Sequence, residues 1–307
     1  MKFLSVCSGI EAASVAWAPL GWKAVAFSEI EPFPCAVLAH HYPDTPNWGD
    51  MTKFKEWPDV PIDLLCGGTP CQSFSVAGLR KGLADPRGNL MLTFGAIAAK
   101  YRPRWLVWEN VPGVLSSNGG RDFGAFLGML GQLGYGFAYR ILDACHFGTP
   151  LKSRRVFVVG CAGNWRRAAA VLFERTAIAD LRKANAGIPR VDASGLAKKQ
   201  TMPERGRCWT IHDGIGHRFL TPLEVERLFG FPDGYTDIDW YQCCGIRFAA
   251  SLGKYGCANC LGEKTARLKT APDVPRYKAL GNSWTVPSIR WIGERIQITA
   301  EIAQVAA

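Results

Sequence analysis

The chain has 307 residues, 48% of them hydrophobic and 20% charged, with a formal net charge of +10. That is enough for a sizeable core in one or two domains, no apolar run approaches a membrane span, and the positive balance favours a polyanionic partner, nucleic acid first. Eleven cysteines, an odd number scattered along the chain, argue against a disulfide scaffold and for reduced thiols, and without a leader-like N-terminus a cytoplasmic location is expected.

Phe3-Leu-Ser-Val6 reads as a first strand, followed by the turn Cys7-Ser-Gly-Ile-Glu11 and a helix to about Trp17. Strand, glycine turn and helix is how a nucleotide-type cofactor site begins. Only Gly9 is present where a dinucleotide fingerprint needs several glycines, and Glu11 at the helix N-terminus would repel a pyrophosphate. A carboxylate there suits a cationic ligand instead, and S-adenosylmethionine, a nucleoside with ammonium and sulfonium groups, is the expected cofactor. An ordinary strand-to-helix turn is the alternative. Lys23 to Ser28 is the second strand; Glu29 ends it, 20 residues after Gly9, at the spacing of a ribose-binding carboxylate, with Glu31 competing for the role. Asp50, followed by Met51, comes at the next loop, where an Asp could accept from an adenine amino group. Each carboxylate alone also reads as a solvated surface group.

Ile62 to Leu65 is a short buried strand that runs into Cys66-Gly-Gly-Thr-Pro-Cys-Gln-Ser-Phe-Ser75. Gly67 and Gly68 are expected to permit a sharp turn and close approach of another molecule. Pro70 stiffens the loop, which places Cys71 at the carboxyl end of a strand, as a nucleophile or as a buried, inert thiol. Gly78 to Gly88, with Arg80, Lys81 and Arg87, reads as a polar lid. Asn89 to Lys100 is a helix and Trp105 to Trp108 a strand ending in Glu109-Asn-Val-Pro-Gly113. Glu109 there is a general-acid candidate, or else a capping carboxylate. Arg121 to Leu133 is helical; Tyr135 to Leu142 and Arg154 to Val159 are two more strands. The alternation through about residue 160 predicts an α/β, doubly wound sheet.

Together these motifs resemble the cytosine-C5 DNA methyltransferases, the phage and prophage members most. Thr69-Pro-Cys-Gln-Ser-Phe-Ser75 matches the nucleophile motif, Glu109-Asn-Val-Pro-Gly113 the glutamate motif, and Ser153-Arg-Arg155-Val-Phe the arginine motif. Arg218 to Pro232 matches the helix bordering the recognition region, and Ala279-Leu-Gly-Asn-Ser-Trp-Thr-Val-Pro287 the C-terminal motif. The resemblance implies a Rossmann-like S-adenosylmethionine-dependent methyltransferase sheet with a smaller target-recognition domain. It implies Cys71, Glu109 and Arg155 as catalytic residues, with Cys71 attacking C6 of a flipped cytosine and Glu109 contacting N3. Cofactor contacts are implied at Cys7, Ser8, Gly9, Ile10, Glu11, Glu29, Ile30, Asp50, Met51, Gly68, Pro70, Asn282 and Ser283. Substrate contacts are implied at Gln72, Ser75, Asn110 and Arg218. The family often carries an aromatic and more glycines where this chain has Cys7, Glu11 and Ala12. Leu151 and Ser153 fill the first two places of the arginine motif, and only Arg155 matches.

Residues 162 to 217 lose the β/α rhythm and hold ten basic against five acidic side chains, a difference of +5 and half the net charge. The family places target recognition here. The expected layout is a catalytic, cofactor-binding domain of residues 1–161 and 277–307, with 162–276 as the recognition region. Cys243-Cys244 and Cys257-Ala-Asn-Cys260 sit in an insert at about 240–270; the second pair has zinc-knuckle spacing, so these four are a candidate zinc site, with a loop of reduced thiols as the alternative. Val286 to about Ala303 is expected to be a helix packing on the first domain. The implied partner is double-stranded DNA, bound by a monomer, with no membrane involved and with room for a cognate restriction endonuclease. A relative acting on RNA and a catalytically silent DNA-binding module are the rival readings.

Overall fold

The computed structural model describes residues 1–70, 90–173, 191–192, 210–212, 217–243, 246–249, 266–268 and 270–305. In chain order the main lobe runs β1 (Lys2–Val6), α1 (Ala12–Trp17), β2 (Lys23–Ser28), α2 (Pro32–His41), β3 (Leu64–Gly68), α3 (Leu90–Tyr101), β4 (Trp105–Asn110), α4 (Arg121–Gln132), β5 (Tyr135–Asp143), β6 (Leu151–Lys152), β7 (Arg154–Ala162) and α5 (Trp165–Leu172). There follow β8 (Val191–Asp192), β9 (Thr210–His212), β10 (His217–Phe219), α6 (Pro222–Phe229), β11 (Trp240–Cys243), β12 (Ile246–Ala249), β13 (Ala266–Leu268), α7 (Asp273–Asn282) and α8 (Val286–Val305).

One six-stranded sheet, in the order β2-β1-β3-β4-β7-β5, organises the lobe. Strands β1 to β4 are parallel; β7 is antiparallel to both β4 and β5. The α/β, Rossmann-like architecture read from the sequence is therefore present, with an antiparallel edge. The departure has a local cause. No α-helix separates β5 from β7, only a short 3-10 turn at Ala144–Phe147 and β6, and so short a return pairs strands antiparallel.

Parallel strands covered on both faces must be apolar throughout, and β4 is buried at every position. Alternation sorts the side chains. Phe3, Leu64, Cys66, Trp105 and Val107 face one core with α1 and α8; Leu4, Val6, Leu65, Leu106 and Trp108 face the other with α3 and α4. The buried stripe of α8 is Val286, Ile289, Ile292 and Ile296, at helical spacing. Trp17 donates to the Ile289 carbonyl at 2.9 Å and Trp22 to Gln297 at 2.8 Å, so the C-terminal helix closes on the first one.

The first core also takes in Ala168, Val171 and Leu172 of α5, and Leu220, Val225, Phe229, Tyr235 and Ile238 around α6. These lie inside the 162–276 segment expected to form the recognition region. Strand β3 also differs from the expected loop: Cys66, Gly67 and Gly68 continue the strand. The reason is crowding. A Cβ on Gly67 would stand 2.4 Å from the Val6 carbonyl oxygen, so the glycines admit the chain's own neighbours. Helix α2 was not among the sequence expectations; it opens on Pro32, and proline in the first helical turn is a start signal. No helix among the described residues is long and apolar enough to cross a membrane.

Candidate active site

The carboxyl ends of β1, β3 and β4 converge on one cavity, lined among others by Ser8, Gly9, Glu11, Gly68, Glu109 and Ser283. The loop after β1 is unusually bent. Cys7, Gly9 and Glu11 have φ of 50°, 57° and 64°, a left-handed conformation that costs non-glycine residues energy. Glu29, nearly buried at the end of β2, holds the loop in place. Its Oε2 accepts from the Gly9 amide at 2.8 Å, and its Oε1 from the Ile30 and Glu31 amides, both at 2.8 Å. Glu31 points outward to an ion pair with Lys278 at 2.8 Å. Of the two competing carboxylates, Glu29 is the one in contact with the glycine loop. Ile30 beside it is an apolar side chain that is 65% exposed.

Asp50 caps a short 3-10 turn, accepting from the Thr52 amide at 2.9 Å. Met51 is buried and its sulfur accepts from the Cys7 thiol at 3.3 Å. Burial, then the charges of Glu29 and Asp50, push the Cys7 thiol up to about 12, so it packs as a neutral group. Ser8 ties β1 to β2: its hydroxyl donates to the Ser5 carbonyl at 2.9 Å and accepts from the Ser28 amide at 3.1 Å.

Glu11 is 1% exposed and caps α1, accepting from the Ser14 amide at 3.0 Å. Its Oε2 has no hydrogen-bond partner among the described residues. Burial pushes its carboxyl from 4.5 up to about 7, against the weaker pull of Ser5 and Ser14. A folded-state value above the unfolded one means the native chain keeps a proton that the unfolded chain releases. The stabilisation relative to alkaline pH is complete below 4.5 and is lost as pH rises through about 7, by about 3 kcal/mol. Glu11→Gln is expected to flatten that segment of the curve, and urea unfolding at several pH values measures it.

The step into Cys71 is clamped from β4. The Trp108 indole donates to Thr69 Oγ1 at 3.0 Å and the Asn110 amide to the Thr69 carbonyl at 2.9 Å. Asn110 also accepts from the Val111 amide at 2.9 Å, so both ends of its side chain are engaged by the chain's own groups. Thr69 is buried and Pro70 is exposed. Cys71, Gln72 and Ser75 lie outside the described residues, as do Arg80, Lys81 and Arg87.

Glu109 is buried on β4, opposite Gly68 of β3 and Phe157 of β7. Arg155 Nε donates to its Oε1 at 2.9 Å, and the Trp284 indole nitrogen borders the same bare Gly68 position as its Oε2. Burial raises the Glu109 carboxyl above 4.5, and the Arg155 charge and hydrogen bonding offset only part of that rise. Arg155 is steadied in turn, donating from Nη1 to the Arg154 carbonyl at 3.0 Å. Leu151 is buried in the main core, and the Ser153 amide donates to Asp143 at 3.1 Å.

Arg218 makes a bidentate pair with Glu224, at 2.9 and 2.7 Å, beside the capping box of α6. For zinc there is no support: among the described residues no three His, Cys, Asp or Glu gather as a metal site. Cys243 ends β11, while Cys244, Cys257 and Cys260 lie outside the described residues. Asn282 and Ser283 do line the cavity, next to Trp284. Trp284 was part of a quoted motif yet had no assigned role. Tyr235 was missed too: its hydroxyl donates to the Ile10 carbonyl at 2.9 Å and its ring stacks on His41 at 4.0 Å, holding the loop after β1 from below.

The cavity suits a cationic nucleoside better than a phosphorylated one. Glu11 and Glu109 are on its wall, and no lysine or arginine is among its described lining.

The model of the C-5 cytosine-specific DNA methylase family matches residues 1–177. The chain belongs to this family. It is 33% identical to the type II methyltransferase M2.BsuMI of Bacillus subtilis, over 96% of this chain and 75% of that protein. A DNA N-6-adenine-methyltransferase of Escherichia phage P1 is 32% identical over 95% of this chain and 60% of its own length. That alignment runs to 461 positions, so the phage protein carries segments that this family member lacks. An orphan methyltransferase of Bacillus phage rho11s, M.Rho11sI, matches over 33% of its length, so the chain spans less than two thirds of these two phage relatives. The crystal structure of the S. pombe Dnmt2 methyltransferase has the same fold, with a TM-score of 0.64 at 16% identity, covering 99% of each chain.

Proposed function

We propose that this chain is a DNA (cytosine-5-)-methyltransferase that uses S-adenosylmethionine. The observation that carries the reading is one juxtaposition. A buried carboxyl, Glu109, is held by Arg155 at 2.9 Å on the same wall as the bent Gly9 loop, one strand from the Thr69 clamp that leads into Cys71. Acid, cofactor loop and nucleophile motif thus meet at the carboxyl ends of adjacent parallel strands, where open α/β sheets bind ligands.

Each residue has a task. Bound against Glu29, Ile30 and the Ser8-Gly9 turn, S-adenosylmethionine supplies an electrophilic methyl group. The Cys71 thiolate adds to C6 of the cytosine, which makes C5 nucleophilic enough to take that methyl. Glu109, whose carboxyl burial raises above the usual carboxylate range, gives a proton toward N3 and so spreads the charge that develops on the ring. The C5 proton then leaves to water and the C6–S bond breaks. Ring atoms are out of reach inside a duplex, so the base must be flipped out, and Gln72 and Ser75 are placed by sequence to line the space it enters. Arg155 orients Glu109 and supplies positive charge near the site.

Double-stranded DNA is the proposed substrate, bound by a monomer, with recognition carried by the basic stretches of 162–276. A cognate restriction endonuclease belongs to the same proposal, since M2.BsuMI is named a type II enzyme. The name of the phage P1 relative supplies a second reading, N6 methylation of adenine. Methyl-labelled S-adenosylmethionine, incubated with the protein and duplex DNA or RNA, separates the readings after digestion to nucleosides. The expected product is 5-methyl-deoxycytidine. Label in N6-methyladenine, or in RNA alone, overturns the proposal.

A further inference from the structure

The turn between α7 and α8 is fixed on several sides. Thr285 and Ser288, both buried, share a hydrogen bond at 2.8 Å, and the Ile289 carbonyl accepts from Trp17. Pro287 packs so closely on Gly230 that a Cβ there would stand 2.6 Å from its ring. At the head of this turn Ser283 and Trp284 both line the cofactor cavity, and the Trp284 indole nitrogen lies on the Gly68 side of the Glu109 carboxyl. The Trp284 ring lies edge-on to Phe157, 6.4 Å between centroids, and Phe157 is the residue opposite Glu109 across β4 and β7.

A phenylalanine would fill the same apolar space. What tryptophan adds is one N–H, and the surroundings are cut to fit that group. A Cβ on Gly68 would come within 2.7 Å of Glu109 Oε2 and 3.0 Å of Trp284 Nε1. Both polar atoms therefore crowd the place a side chain at Gly68 would occupy, and a strand position is left bare to let them meet. On the other side Arg155 Nε holds Oε1.

We propose that Trp284 is a positioning residue for the target-base acid, its indole N–H fixing the Glu109 carboxyl from the turn that also walls the cofactor cavity. The carboxyl then has two donors from two distant parts of the chain, β7 and the α7–α8 turn. Each oxygen has a second lone-pair direction left for the base or for its own proton. Because Ser283 lies on the cofactor and Trp284 on the acid, the orientation of the acid becomes coupled to the cofactor side of the cavity. This role rests on Glu109 being the acid that meets the base, and the first measurement below needs no DNA.

In an ¹H–¹⁵N spectrum of the free protein, the Trp284 indole signal, identified by its loss in Trp284→Phe, is expected to move with pH as Glu109 titrates. It should stop moving in Glu109→Gln. A Trp284 signal that ignores pH, or that moves alike in both proteins, overturns the contact. In the transfer assay, Trp284→Phe is expected to lower kcat about tenfold. It should also shift the alkaline limb of the kcat–pH profile upward by about one unit, because a donor that stabilises the carboxylate is gone. KM for S-adenosylmethionine should stay within about twofold. Trp284→His, which restores a ring N–H, should recover part of kcat. An unmoved limb, or a raised KM with kcat intact, would make Trp284 a cavity wall and nothing more. If wild-type protein transfers no methyl group at all, the functional reading fails while the spectral test of the contact still stands.

Discussion

DNA with 5-fluorocytosine at its target positions is expected to become covalently fixed to the wild-type protein when S-adenosylmethionine is present. Cys71→Ala is expected to lose both the adduct and methyl transfer, the latter by on the order of 10⁴-fold or more. The reason lies in the order of bond changes. Once the thiolate is on C6 and the methyl on C5, the sulfur leaves only after C5 gives up its hydrogen as a proton. Fluorine cannot leave as a cation, so the reaction stops with the C6–S bond formed. A gel shift that survives denaturant, followed by mass spectrometry of the cross-linked peptide, reads the result. Transfer without trapping, or trapping at another cysteine, would sink the covalent mechanism. Among the cysteines, Cys7 and Cys66 are poor rivals, since burial raises both thiols far from the thiolate range.

The central sheet was legible because its signals are local. Phe3 to Val6, Lys23 to Ser28 and Trp105 to Trp108 are apolar runs closed by glycine, glutamate or proline, and each became a parallel strand. The antiparallel edge was not drawn from the sequence: it follows from the helix missing between Asp143 and Arg154, and the alternation of strands and helices before it pointed to a parallel continuation. The same holds for the site. Glu29 stood out by its spacing from Gly9, and the 2.8 Å bond between them is that spacing made physical. Trp284 lay within a matched motif and Tyr235 just beyond one, both without a role, because an indole N–H or a phenol declares its partner only after residues far apart in the chain are brought together. Asn110 was expected to touch substrate from its place in a motif; the fold shows it engaged with the Thr69 carbonyl, one residue before the loop it steadies. Gly67 and Gly68 were read as turn makers, whereas their missing side chains make room for Val6, Glu109 and Trp284.

Glu109→Gln is expected to lower kcat by about 10² to 10⁴-fold while leaving binding of DNA close to wild type. Glutamine keeps the shape and its one carbonyl oxygen still accepts from Arg155, so the fold around β4 should survive; what it lacks is a transferable proton. The pH profile makes the distinction sharper. Burial raises the Glu109 carboxyl despite the nearby Arg155 charge, so a larger share of it is protonated near neutral pH than for an exposed glutamate. Activity that depends on the protonated form is present below the folded-state value and falls as pH rises through it. The Cys71 thiolate imposes the opposite limb, and the product of the two is a bell. In Glu109→Gln the alkaline limb should vanish and only the rise with thiolate formation should remain, at a much lower rate. Glu109→Ala should behave differently, since it also leaves Arg155 without its partner inside a half-buried site, and stability should drop along with activity. Equal pH profiles for wild type and Glu109→Gln would mean that the proton reaches the ring from elsewhere, and that the carboxyl at the end of β4 serves only to hold Arg155 and the indole in place.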